Sequence, residues 1–112
     1  MVVVQITMHV MPEKQKELVQ TLMSLMDAMG KGVGCINYAL LCDITDNNQL
    51  FMLEEWESRE KLDRHFKSCL FGVLLGTKSL LQQSHGINIY TVQKTEGINA
   101  VVAARGKRND GS

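Results

Sequence analysis

Four stretches of the chain are rich in apolar and β-branched residues, a composition typical of β-strands. They are residues 2–10, 35–42, 50–56 and 86–92. Between the first and second, and again between the third and fourth, apolar residues recur at steps of three and four and predict helices. The first helix follows Pro12 and ends near Gly30, where residues 30–34 predict a turn. The second helix begins at Ser58, which is a residue type that caps helix N-termini.

The second helix is expected to break near its glycines, Gly72 and Gly76, since glycine is unfavourable inside a helix. A shorter helical piece over residues 78–83 is expected to follow. Before the break, helical spacing predicts one apolar side, made of Leu62, His65, Phe66, Cys69, Leu70 and Val73.

The resulting order, β-α-β-β-α-β, predicts an α+β fold of the ferredoxin-like type, a four-stranded antiparallel sheet with helices on one face. Both faces of the third strand are apolar: Leu50 and Met52 lie on one, Phe51 and Leu53 on the other. The helices can cover one face only, and an uncovered apolar face is an interaction surface. We therefore expect a homodimer that packs sheet against sheet, a dimeric α+β barrel with a cavity in each half.

The composition narrows the possible partners. Twelve Lys and Arg residues balance twelve Asp and Glu residues, so no basic surplus points to nucleic acid. No stretch reaches the roughly 18 apolar residues that cross a membrane. Three cysteines, an odd number without a CxxC pair, are typical of a reduced, cytoplasmic protein.

The chain is long enough for one domain, which we expect over residues 1–95, followed by a C-terminal tail over residues 96–112. Within the tail, residues 98–104 are apolar enough to dock on another surface. A basic cluster follows in a glycine-flanked setting typical of a solubilising tail; it consists of Arg105, Lys107 and Arg108.

Candidate chemistry concentrates where the third strand meets the second helix. Glu54 lies on the same strand face as Trp56, the only tryptophan, whereas Glu55 points to the other face. In apolar surroundings the pKa of Glu54 should rise, which would suit it to take a phenolic proton. We expect the second subunit to enclose this face. The alternative is that Glu54 reaches the rim and pairs with Arg59 or Arg64.

Two further side chains at this corner have both a functional and a structural interpretation. Trp56 can stack on a planar substrate or close the end of the core, and its indole N–H needs a partner when buried. His65 titrates near neutrality and could carry a proton, or it could be a buried structural histidine.

This part of the chain resembles a known family. The residues that carry the resemblance are Gly34, Cys35, Tyr38, Phe51, Glu54, Trp56, Leu62, His65, Ser68 and Phe71. They are similar to those of the antibiotic biosynthesis monooxygenase domain, which includes bacterial quinol monooxygenases, over about residues 1–95. The resemblance implies a dimeric α+β barrel with an internal apolar pocket. It also implies oxidation of phenolic or quinol substrates by O₂ with no metal, flavin or other cofactor.

The resemblance therefore predicts a cofactor-independent monooxygenase acting on a small aromatic, quinol or polyketide-like compound. Trp56 would orient the substrate and Glu54 or His65 would take its proton, while Tyr38, Met52 and His9 are weaker candidates for substrate binding. Two alternatives stay open: a non-catalytic small-molecule binding or stress-response protein, and an isomerase that uses Glu54 and His65 as an acid–base pair.

Two positions depart from characterised members of the family. Met52 stands where some of them carry an asparagine, so a polar orienting group is missing. Leu75 stands near the place of the histidine that the haem-degrading branch uses, and leucine cannot bind iron. The scattered His and Cys residues show no metal-ligand spacing, and no GxGxxG fingerprint follows a strand.

Overall fold

The computed structural model describes residues 1–30 and 33–106. Its strands are β1 (Val2–His9), β2 (Cys35–Asp43), β3 (Asp46–Trp56) and β4 (Gly86–Thr91), and its helices are α1 (Gln15–Met29), α2 (Arg59–Phe66), α3 (Cys69–Gly76) and α4 (Ile98–Gly106). The strands form one antiparallel sheet in the order β2-β3-β1-β4. This order confirms the predicted ferredoxin-like α+β fold.

Strand β3 begins four residues before the predicted position, because the connection to β2 is a tight turn. The side chain of Asp43 accepts hydrogen bonds from the backbone N–H and the hydroxyl of Thr45, at 2.8 and 2.7 Å. The polar residues that follow this turn therefore pair in the ladder, with Asp43 opposite Asp46. The polar composition of residues 43–49 had instead predicted a loop over this whole stretch.

The core lies between the sheet and the helices. Val4, Ile6 and Met8 of β1 are fully buried, and their partners across the ladder on β3 are Glu54, Met52 and Leu50. The helices cover this face with Leu18, Leu22 and Leu25 of α1, Leu62 of α2, and Phe71 and Leu74 of α3. The expectation that a second subunit encloses the Glu54 face was wrong, since the chain's own helices cover it.

The opposite face of the sheet is not covered by α1, α2 or α3, and it is only partly apolar. Its β1 positions are polar apart from Val3, whereas β3 contributes Phe51 and Leu53. The adjacent β2 positions, Ala39 and Leu41, pair with these two residues, and Leu41 is 48% exposed. We call Val3, Ala39, Leu41, Phe51 and Leu53 the outer patch.

The predicted break in the second helix exists, but it falls at Ser68 and not at the glycines. The Ser68 side chain accepts from the N–H of Phe71 at 3.3 Å and donates to the carbonyl of His65 at 2.6 Å. This cap ends α2 and begins α3 in a new direction. The predicted apolar side is therefore wrong at Cys69 and Val73, which are exposed, whereas Leu70 packs against the core as predicted. Phe71 and Leu74, which were not on the predicted side, are buried.

The remaining elements are short. A 3₁₀ turn, Thr77–Leu80, takes the place of the helical piece predicted over residues 78–83. Helix α4 lies in the predicted tail, and none of its residues is buried. Lys107 and Arg108 of the basic cluster, and residues 31–32 of the predicted turn, lie outside the described residues. Within those residues, every helix is too short or too polar to traverse a bilayer.

Candidate active site

Glu54 and Trp56 lie near the end of β3, on its helix-covered face. The side chain of Glu54 is fully buried, and its neighbours across the ladder are Val4 on β1 and Tyr38 on β2. Trp56 is 3% exposed and pairs with Val2. A carboxylate is thus placed among core side chains, as the strand pattern predicted.

The helix that follows brings a histidine onto this pair. Ser58 caps α2 by accepting the N–H of Lys61 at 3.2 Å, and this start directs Leu62 and His65 inward. The imidazole of His65 stacks on the Trp56 ring, with centroids 4.7 Å apart and planes inclined by 28°. Phe71 meets the same imidazole edge-on at 5.4 Å, so aromatic rings hold it on two sides.

Polar contacts link the three side chains. The indole N–H of Trp56 donates to Oε1 of Glu54 at 2.9 Å. The same oxygen lies 3.7 Å from Nε2 of His65, which is near but beyond ordinary hydrogen-bond length. Oε2 of Glu54 and Nε2 of His65 are buried without a hydrogen-bond partner among the described residues. Buried polar atoms without a partner are rare in folded proteins, and a catalytic role or a bound water are two of their known explanations.

Burial changes the acidity of both titratable groups. Desolvation raises the pKa of Glu54 above its ordinary value of 4.5, and the hydrogen bond from Trp56 partly opposes this rise. Desolvation lowers the pKa of His65 below 6.5. Both shifts favour the neutral form, so the site resists holding an isolated charge. The predicted rise for Glu54 is confirmed.

The alternative pairing of Glu54 with an arginine at the rim was wrong. Arg59 pairs with Asp63 at 2.9 Å, and Arg64 pairs with Glu60 at 2.6 Å, both along the exposed side of α2. The carboxylate of Glu54 therefore has Trp56 and His65 as its polar neighbours.

A cleft of about 280 Å³ leads from the surface to His65 and Trp56. Val33 and Leu70 supply its apolar walls, together with the two rings. Lys61, Arg64 and Ser68 supply its polar walls. Glu54 lies behind the rings and does not line the cleft, so a ligand would meet His65 before it met the carboxylate.

The three weaker substrate-binding candidates lie away from this cleft. Met52 is 1% exposed and fills the core between Ile6 and Leu40. Tyr38 is half-buried on the Glu54 face. His9 lies on the opposite face and near the other end of β1, where its Nε2 is 3.7 Å from Asp46. That these residues bind substrate stays a prediction.

A family profile described as antibiotic biosynthesis monooxygenase matches residues 1–73 of the chain. The chain belongs to this family. The match includes Glu54, Trp56 and His65, and it ends inside α3.

The chain is also similar to three known proteins. A conserved protein from Methanosarcina mazei is 31% identical, with a TM-score of 0.78 over 82% of this chain and 92% of that one. A structure named antibiotic biosynthesis monooxygenase is 21% identical, with a TM-score of 0.77 over 84% of this chain and all of that one, a likeness of fold alone. The uncharacterized protein sll1783 from Synechocystis is 28% identical over 96 residues, which are 85% of this chain and 65% of that one. The chain thus spans about two thirds of the length of the sll1783 protein.

The residues that shape the cleft were harder to find from sequence. Lys61 and Arg64 are surface residue types at ordinary helix positions and gave no signal, whereas Ser68 is one of the residues that carry the family resemblance. His85 is half-buried, and its Nε2 lies 2.9 Å from the hydroxyl of Thr77. Within residues 1–30 and 33–106, no three His, Cys, Asp or Glu side chains gather as metal ligands.

Proposed function

We propose that the chain is a monooxygenase that uses O₂ to oxidise a small phenol or quinol without a cofactor. The observation that carries this proposal is the buried Glu54–His65 pair, with its 3.7 Å gap and its unpartnered atoms, at the inner end of a cleft beside Trp56. Family membership supports the same reaction class. Oxygenation of this kind needs a substrate that is deprotonated and kept from water, since the anion itself reduces O₂.

In this proposal His65 takes the substrate proton. Its Nε2 faces Glu54, so Nδ1 is the ring nitrogen on the cleft side. Because the pKa of His65 is lowered, its ring is neutral at physiological pH and can accept a proton. Glu54 would balance the imidazolium charge through Nε2, so it acts through His65 as a positioning residue. Trp56 holds both groups in place by one hydrogen bond and one ring stack.

The reaction would consume one O₂ for each substrate molecule. The hydroquinone anion passes one electron to O₂, which gives a substrate radical and superoxide. These two radicals then join through a new C–O bond. The hydroperoxide formed in this way loses water and leaves a hydroxyquinone. One hydroquinone and one O₂ thus give one hydroxyquinone and one water, and the substrate supplies all four electrons.

The working unit in this proposal is a homodimer that buries the outer patch. The patch lies on the face of the sheet that α1, α2 and α3 do not cover, and its Leu41 is 48% exposed. The cleft lies on the helix side, so each subunit would keep its own site. The three cysteines are free thiols, which agrees with the reduced cytoplasmic setting proposed from the sequence.

The test is O₂ consumption by the purified, chelator-treated protein with hydroquinone and methylhydroquinone. We expect uptake above the buffer rate, and a loss of about 10²–10⁴-fold in kcat/KM for His65→Ala, the size of a general-base contribution. Added imidazole should restore part of this loss. Glu54→Gln should also lose activity, whereas Glu55→Gln, on the outer face, should stay within about twofold of the parent protein.

Two results would overturn the proposal. One is that no phenol or quinol raises O₂ consumption although ligands bind in the cleft. The other is that His65→Ala, with its fold intact by circular dichroism, consumes O₂ as fast as the parent protein. Conversion of a ligand without O₂ consumption would instead support the isomerase alternative.

A further inference from the structure

We propose that the substrate of this cleft is a single-ring phenol that carries an anionic group such as a carboxylate. This inference rests on the proposed function, because the deprotonation step requires the phenol. It adds a second recognition element to the cleft, in its polar wall.

The polar wall of the cleft carries positive charge only. Lys61 and Arg64 both line it, and no carboxylate does. Their partners, Glu57 and Glu60, lie four residues earlier, Glu57 just before α2 and Glu60 in its first turn. The side chains of Arg64 and Glu60 are 69% and 76% exposed, and such exposed pairs hold their partners weakly. Arg64 is therefore available to an anionic ligand, whereas Lys61, which is 33% exposed, would exchange its bond to Glu57 for one to the ligand.

The backbone around Gly34 fixes the position of Lys61. Gly34 has a φ of 96°, in the left-handed region, and a Cβ there would lie 2.5 Å from Cδ of Lys61. The carbonyl of Gly34 also accepts the N–H of Glu57 at 2.9 Å. Glycine at this position thus lets the lysine stem lie flat against the loop, and the stem forms part of the cleft wall.

The N-terminus of α3 adds a third positive element. Ser68 and Leu70 line the cleft, and the first N–H groups of α3 have no partner within the helix itself. Together with the helix dipole, such groups attract anions. His65, which is 9% exposed, lines the cleft beside this helix terminus.

The cleft is large enough to hold about one ring. Drug-sized ligands occupy pockets of roughly 300–1,000 Å³, and this cleft measures about 280 Å³. Its apolar walls fit an aromatic ring, which would lie against Trp56 and Leu70 with its hydroxyl towards His65. The anionic group would then lie between Lys61 and Arg64.

Binding can be measured without turnover, because Trp56 is the only tryptophan and lines the cleft. The probes are gentisate, a hydroquinone with a carboxylate, and gentisamide, its neutral amide. By quenching of Trp56 fluorescence we expect gentisate to bind about tenfold more tightly at low salt, and the preference to shrink at high salt.

Three variants locate the effect. Lys61→Gln and Arg64→Gln should each weaken gentisate binding by roughly threefold to tenfold and leave gentisamide binding unchanged. Arg59→Gln is the matched control, because Arg59 lies on the same helix in the same type of ion pair but does not line the cleft. Arg59→Gln should leave the affinities for gentisate and gentisamide unchanged.

The inference would be overturned by equal affinities for the two probes, or by an Arg59→Gln effect as large as that of Arg64→Gln. These outcomes are separable from the fate of the proposed function. Tight gentisate binding without O₂ consumption by any phenol would contradict the monooxygenase and support the anion site. Equal turnover of gentisate, gentisamide and methylhydroquinone would support the monooxygenase and contradict the anion site.

Discussion

The indole N–H of Trp56 donates a hydrogen bond to Oε1 of Glu54 across 2.9 Å, and both side chains lie inside the fold. The two residues are neighbours on one face of β3. Burial raises the pKa of Glu54, and this hydrogen bond acts in the opposite direction. The hydrogen bond from Trp56 thus partly offsets the rise in the pKa of Glu54 that burial causes.

Replacing Trp56 with Phe should raise the pKa of Glu54 further. The phenyl ring keeps an aromatic face for His65 but has no N–H to donate, so the ionised carboxylate loses its hydrogen bond. Carboxyl-carbon NMR titration of the protein with labelled glutamate measures the shift. Phe66→Leu is the control, since Phe66 packs near His65 and makes no contact that affects the pKa of Glu54. An unchanged Glu54 pKa in Trp56→Phe would show that the bond has no energetic weight.

The stability of the protein should depend on pH through Glu54. Between 4.5, its ordinary pKa, and its raised value in the fold, the folded protein holds more protons than the unfolded chain. The free energy of unfolding contributed by Glu54 is therefore fully present below pH 4.5 and is lost as the pH rises through the folded pKa, by at most about 1.4 kcal/mol per unit. Urea unfolding over this range should show the fall in the parent protein and a smaller fall in Glu54→Gln. Parallel curves would contradict this account of the burial.

The contribution of His65 to the free energy of unfolding should change with pH in the opposite direction. The pKa of His65 is lowered in the fold, so between that value and 6.5 the unfolded chain holds more protons. The free energy of unfolding due to His65 therefore rises with pH in this window and is lost as the pH falls through it. His65→Phe keeps a ring against Trp56 and removes the titration. The free energy of unfolding of His65→Phe should therefore rise less with pH in this window than that of the parent protein. An equal rise in the two proteins would contradict the prediction.

The proposed homodimer gives a prediction for the outer patch. Phe51→Lys places a charge on the sheet face that α1, α2 and α3 do not cover, and burying it against a second copy would leave an unpaired charge at the interface. We expect sedimentation equilibrium to give a dimer for the parent protein and a monomer for Phe51→Lys. Met23→Lys is the control, because Met23 is 61% exposed on α1, in the other layer. A monomeric parent protein would contradict the dimer.

The sequence predicted those parts of the fold that depend on strand periodicity. Successive side chains of a strand alternate between faces, so Glu54 and Trp56 had to share one face, and Glu55 had to lie on the other. The same alternation predicted a buried carboxylate with a raised pKa. The element order followed from four apolar stretches and the helical spacing between them.

The periodicity of β3 by itself could not predict which of its faces the helices cover. Leu50 and Met52 on one face of β3 are as apolar as Phe51 and Leu53 on the other, so the pattern is symmetric. Helix propensity likewise located the helix break at the glycines, whereas the Ser68 side chain forms a cap that ends α2 earlier. That cap turns Phe71 towards His65 and leaves Cys69 exposed, which no count of helical steps would show. The cleft depends on this turn.

The most direct test of the central claim is the fate of isotopically heavy O₂ when the protein oxidises methylhydroquinone. If His65 and Glu54 deprotonate the substrate for a monooxygenase reaction, mass spectrometry should find one heavy oxygen atom in each quinone product. Glu54→Gln and His65→Ala should form this product much more slowly, while Glu55→Gln should match the parent protein. A quinone product without label, or labelled product formed equally fast by His65→Ala, would contradict the account.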